Sequence, residues 1–299
     1  MPPNDNATPH SAAEYDEVVR RTIPYYDLLH EETLDLVETL RPEPRVWLDT
    51  GCGTGSLAKR ILERFPDCRL ILADPSEKML AQAHARLADA PPERLTILPP
   101  IGSQDLRWDW IVRLSAFGED KSPPAPLSER GESRDIPNPK WAPGSLQGNG
   151  TEHRVPPFGK GWTGGISKSS PVGVVVEAWP RPDVITAIQA HHYLRPDGRA
   201  QATRACYDLL QPGGLYVTCE NIRPRTERGL AFGLERWRRF QVRAGRDMKT
   251  AGDHTQRFGR DYFPILLSEH FDLLARCGFV DVEMFWHSHL QAGFYAFKP

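Results

Sequence analysis

The chain lacks most features that would assign it to a specialised class. Its five cysteines, Cys52, Cys68, Cys206, Cys219 and Cys277, are scattered, odd in number and form no C-x-x-C pair, so neither a disulfide scaffold nor a zinc site follows. No run approaches the ~18 consecutive apolar residues needed to span a bilayer. A net charge of −2 gives no global basic field for nucleic acid or an anionic membrane, and neither partner is expected. Residues 1–13 are polar, without the apolar core of a signal peptide, and read as a loose tail of a cytoplasmic protein.

What is present is concentrated around residue 50. Val46-Trp47-Leu48 is a short apolar run with the length of a buried strand, and it ends at Asp49. Gly51, Gly53 and Gly55 then allow a sharp turn and close approach of a ligand to the main chain. Leu57, Ile61, Leu62 and Phe65 follow at helical spacing, so a helix N-terminus with unpaired N–H groups faces whatever sits above the turn. A dinucleotide fingerprint would want its third glycine at position 56, where this chain has Ser56. A second strand, Arg69 to Ala73, ends in Asp74, about 20 residues past the glycines, where an acid can accept ribose hydroxyls. Asp74-Pro75-Ser76 also suits a helix N-cap, and the two roles are compatible.

The Asp-x-Gly-x-Gly-x-Gly run over 49–55 resembles motif I of the class I S-adenosylmethionine (SAM)-dependent methyltransferases. Asp74-Pro75-Ser76-Glu77-Lys78-Met79-Leu80 is similar to the same family's second motif, and Leu209-Leu210-Gln211-Pro212-Gly213-Gly214 to its turn into the fifth strand. The resemblance covers about 45–106 and 181–299. It implies an α/β, Rossmann-like sheet of seven strands, parallel except for an antiparallel strand in a terminal hairpin, with helices on both faces. It also implies SAM as cofactor, without a metal, and a methyl group transferred to a small-molecule acceptor. The glycine turn would hold the methionine end, Asp74 the ribose, and Asp105, beside Gln104, the adenine. Pro75, Ser76 and Met79 would lie near the base, and Gln189 to His191 would sit beside the ligand.

Other segments read less sharply. Residues 14–40 suggest two helical pieces broken at Ile23-Pro24, carrying Tyr15, Tyr25 and Tyr26 as a cap over the ligand or as plain core. Pro182 to Ala190 is a fourth buried strand, Leu215 to Glu220 a fifth, and Phe279–Ser288 with Gln291–Lys298 a closing hairpin. Ser268 reads as the N-cap of the helix before it and Gly278 as its stop. Residues 107–180 hold ten of the 28 prolines, ten of the 24 glycines and five of the eight tryptophans. Such a composition argues for an irregular insertion interrupting one domain made of 14–106 and 181–299.

An acceptor that must lose a proton would find His191 or His192 nearby, although the family resemblance more often implies a structural role for that step, turning the chain toward the next helix. Eight arginines between 223 and 246, interleaved with Phe232, Leu234, Trp237 and Phe240, suggest an amphipathic helix. Its basic face is either a solvated surface or, through residues such as Arg223, a grip on an acidic acceptor. Tyr26, Trp286 and Tyr295 are further acceptor-pocket candidates. Competing readings are a SAM-binding protein without activity, another SAM-type group transfer, and a nicotinamide dehydrogenase, which Ser56 and the terminal hairpin disfavour.

Overall fold

The computed structural model describes residues 11–117 and 180–299. The elements in chain order are α1 (Tyr15–Thr22), α2 (Tyr26–Leu40), β1 (Val46–Thr50), α3 (Ser56–Arg64), β2 (Arg69–Ala73), α4 (Glu77–Arg86), β3 (Leu95–Ile97), α5 (Trp108–Phe117), β4 (Val184–Ile188), α6 (Pro196–Leu209), β5 (Leu215–Arg223), α7 (Glu227–Arg243), α8 (Met248–Thr255), β6 (Ile265–Leu266), α9 (Leu267–Arg276), β7 (Val280–Ser288) and β8 (Gln291–Phe297). Seven strands run β3-β2-β1-β4-β5-β8-β7 across the sheet, and the two-residue β6 pairs with the far end of β5 as an eighth. β1 to β5 are parallel, and β8 is antiparallel to both β5 and β7.

Strand period explains the two faces. Trp47, Leu70 and Leu72 point to one side, where Leu34, Leu57, Ile61 and Leu80 of α2, α3 and α4 cover them. Leu48, Ile71 and Ile185 point to the other, against Ile111, Cys206 and Leu274 of α5, α6 and α9. Because both faces are covered, the central strands are apolar runs rather than alternations. A third cluster, Val19, Ile23, Tyr26, Trp237, Tyr262 and Leu290, glues α1 and α7 together at one edge.

Strand order reverses between β1 and β4, and a crevice opens there at the strands' carboxyl ends. The loops after β1, β2, β3 and β4 all reach it.

Three expectations need correction. Residues 108–117, assigned to the irregular insertion, form α5, whose Trp110 and Ile111 are buried in the main core. The remainder of that insertion, 118–179, lies outside the described residues, as do residues 1–10 of the tail; within the tail, Ala12 is already buried. Ser268 does not cap α9; the cap position is Leu266, two residues earlier, and Glu269 takes the Leu266 backbone N–H at 2.7 Å.

Candidate ligand site in the crevice

A cavity of about 200 Å³ occupies the crevice. Its floor is the glycine turn. Gly51 has φ +69°, and a Cβ there would lie 2.4 Å from the Ala190 Cβ in the loop after β4, so only glycine lets the two loops approach. Gly55 does not line the cavity. It precedes α3 at φ +73°, and its missing side chain allows α4 to pack at Ala83.

Asp74 stands beside this floor, buried at the end of β2. One carboxylate oxygen accepts the Gly53 N–H at 2.9 Å and the other the Ser76 N–H at 2.8 Å. Each oxygen keeps lone-pair capacity beyond its one backbone donor, which suits recognition of a vicinal diol. Burial raises the Asp74 pKa, against these two hydrogen bonds. Ser76 itself faces away from the cavity: its hydroxyl accepts from Met79 N–H at 3.2 Å and caps α4, while Pro75 and Met79 line the wall.

Asp49, also lining the cavity, sits opposite Thr186 in the β1–β4 register. Trp47 Nε1 donates to Thr186 Oγ1 at 2.9 Å, and that hydroxyl donates to Asp49 at 2.7 Å. Burial pushes Asp49 up to about 7, with the Asp74 charge adding to it and the Thr186 bond opposing.

Beyond β3, Gly102, Ser103 and Gln104 line the cavity, and Ser103 bonds Thr50 at 2.7 Å. Asp105 is absent from the lining; Gln104 Nε2 donates to its carboxylate at 2.9 Å, leaving Gln104 Oε1 buried without a partner. On the far side Gln189 takes φ +55°, a conformation that non-glycine residues hold only under tertiary constraint, and it also keeps a bare Oε1. His191 Nε2 and His30 Nδ1 are two more unpartnered buried atoms on lining residues. Four lining residues thus carry a buried polar atom without a protein partner, a demand that a bound polar ligand can meet.

His191 and His192 diverge. His191 lines the cavity, and burial holds it down to about 4. The His192 ring is directed elsewhere: its Nδ1 bonds Glu220 at 2.8 Å and it packs on Tyr193 with centroids 4.4 Å apart. Glu220, on β5, has no place in the sequence reading. It also accepts the backbone N–H groups of His191 and His192 at 3.1 and 2.8 Å and the Thr218 hydroxyl at 2.9 Å. Arg199, buried on α6, adds bonds to the carbonyls of His191 and Phe263. The available signal was faint: one acid closing an apolar strand.

The N-terminal pieces form the roof. Tyr15 and Tyr26 line the cavity, Tyr26 bonding Ser56 at 3.2 Å, whereas Tyr25 is exposed and belongs to a different hollow. Asp16 ties α1 down through the Thr54 hydroxyl at 2.8 Å and an ion pair with Arg86. The other acceptor candidates are dispersed. Trp286 lies in Tyr25's hollow, Tyr295 packs against the core, and Arg223 pairs with Glu227 at 2.5 Å.

Sheet order, the glycine turn and the strand-end acids together define a Rossmann-like fold of the class I methyltransferase type. The family model described as a methyltransferase domain matches residues 48–118. It is 46% identical over 65 residues to a trans-aconitate 2-methyltransferase of Acidovorax sp. (strain JS42), covering 20% of this chain and 25% of that protein. It is 40% identical over 78 residues to a carboxy-S-adenosyl-L-methionine synthase of Wolinella succinogenes, covering 25% and 32% respectively. The matched segments thus span about a quarter to a third of these curated relatives. In fold, a possible exported protein from Bordetella parapertussis is similar at a TM-score of 0.50 and 14% identity, over 90% of this chain and 67% of that one. Among the described residues no helix is long and apolar enough to cross a membrane.

Proposed function

We propose that the chain is a cytoplasmic SAM-dependent methyltransferase acting on a small, acidic acceptor. The observation that carries this reading is Asp74, a buried carboxylate whose two oxygens each hold one backbone donor and face the glycine-floored cavity. The four unpartnered polar atoms fit a nucleoside carrying an amino acid. Asp74 would hold the ribose diol, and Gln104 Oε1, rather than Asp105, would accept the adenine amino group. Asp49 and the turn at Gly51 and Gly53 would meet the charged methionine end, with Gln189 and His191 on the opposite wall.

Bound SAM supplies an already activated methyl donor, so the protein's task is orientation and exclusion of water. Tyr15 and Tyr26 present aromatic rings, which favour a cationic ligand. At about 200 Å³ the cavity is smaller than typical ligand pockets of roughly 300–1,000 Å³. His191, held near 4 by burial, is a weak proton acceptor at neutral pH. That favours an acceptor atom already anionic, such as a carboxylate oxygen, over one that must first be deprotonated.

The test is incubation of the full chain with methyl-labelled SAM and a panel of carboxylic acids, read by product mass. A labelled methyl ester supports the reading. Saturable SAM binding without any methylated product favours the alternative of a SAM-binding protein without transferase activity.

A further inference from the structure

A second hollow of about 240 Å³ lies outside the crevice, between the start of α2, the middle of α7 and the β7–β8 turn. That volume leaves room for a single-ring molecule. Two aromatic side chains line it, Tyr25, which is 54% exposed, and Trp286. Its polar lining is cationic or donor-rich: Arg236, His287, Ser288 and His289, with no carboxylate.

Two polar groups of the lining lack a partner among the described residues. Arg236 makes no hydrogen bond or ion pair to another described residue, whereas Arg238 and Arg239 on the same helix both bind Glu235. His289 is 8% exposed, and its Nε2 has no partner. Its other ring nitrogen bonds Ser288 Oγ at 3.1 Å, and Tyr25 and Phe240 pack on its ring. His289 also holds a left-handed φ of +50°, as does Tyr25 at +57°, so two non-glycine residues in this conformation meet at one hollow. Burial and the positive charges of Arg236 and Arg243 hold the His289 ring near 4.

We propose that this hollow is a binding site for a small aromatic carboxylate, its acid on Arg236 and His289 Nε2 and its ring against Trp286 and Tyr25. A guanidinium fork matches a carboxylate in two parallel bonds, and the flanking aromatic faces favour a flat body over a hydrated inorganic anion. The site does not rest on the methyl-transfer reading, because binding alone reports it.

The experiment is calorimetric titration of benzoate into the full chain. Saturable binding is expected, weakened about tenfold or more in Arg236→Gln, an exposed position whose loss leaves the fold intact. His289→Asn, which retains a residue tolerant of the left-handed region, should weaken it several-fold. Cyclohexanecarboxylate should bind less tightly than benzoate, and Gln104→Ala, in the crevice, should leave benzoate affinity unchanged. The proposal is overturned if wild type shows no saturable heat, if Arg236→Gln binds as well as wild type, or if Gln104→Ala abolishes the binding.

Discussion

The two sides of the crevice are made differently. On the β1–β3 side, the groups nearest the glycine turn are held within one short stretch of chain: Gly51 and Gly53 by their own torsions, Asp74 by the Ser76 N–H two residues on and the Gly53 N–H 21 residues back. On the β4–β5 side, the walls are held by partners distant in sequence. Glu220 gathers donors from His191 and His192, 29 and 28 residues away, and Arg199 reaches Phe263, 64 residues away. The first arrangement survives as a portable motif, and the methyltransferase-domain match falls there, on 48–118. The second is a buried polar network, which specifies one geometry only when every member is present.

The contrast makes removal of Glu220 the most damaging change. Glu220→Ala takes the acceptor from two backbone N–H groups and an imidazole, all buried, and should cost about 3–5 kcal/mol in chemical denaturation. A loss under about 1 kcal/mol would mean that the far wall does not depend on this network.

Asp49 offers a pH-dependent test on the near side. Its folded pKa of about 7 lies above the ordinary carboxylate value near 3.8. Its stabilising contribution is therefore complete below the unfolded pKa and is lost as pH rises toward 7. Asp49→Asn should be more stable than wild type above pH 7, by as much as ~4 kcal/mol, with the gap closing near pH 4. Melting curves across that window decide it; a gap that widens on acidification would reverse the assignment.

The smallest effect belongs to a purely local device. Ser76→Ala removes the α4 cap and should lower stability by about 1 kcal/mol, while binding of SAM changes little because Ser76 faces away from the cavity. A large loss of affinity with unchanged stability would place Ser76 in the site instead.

Legibility in the sequence followed the same division. The glycine turn, the acid ending β2, the break at Ile23-Pro24 and the closing hairpin could all be read, because each depends on spacing within a few residues. Glu220 and Arg199 could not, since their meaning is supplied by donors and carbonyls brought in by other elements. Tyr25 and Tyr26 looked equivalent, yet the left-handed turn at Tyr25 sends them into separate hollows. His191 and His192 part for a related reason, one ring being captured by Glu220. α5 was lost because its ten residues were averaged with a long proline- and glycine-rich stretch.

The central claim is that Asp74 grips the sugar of a sulfonium nucleoside. Calorimetric titration of S-adenosylhomocysteine into the full chain and into Asp74→Ala tests it most directly. The account predicts one saturable site in wild type, weakened about a hundredfold in the variant, equivalent to ~2.7 kcal/mol. Equal affinity in the two proteins, or no heat in either, would contradict it.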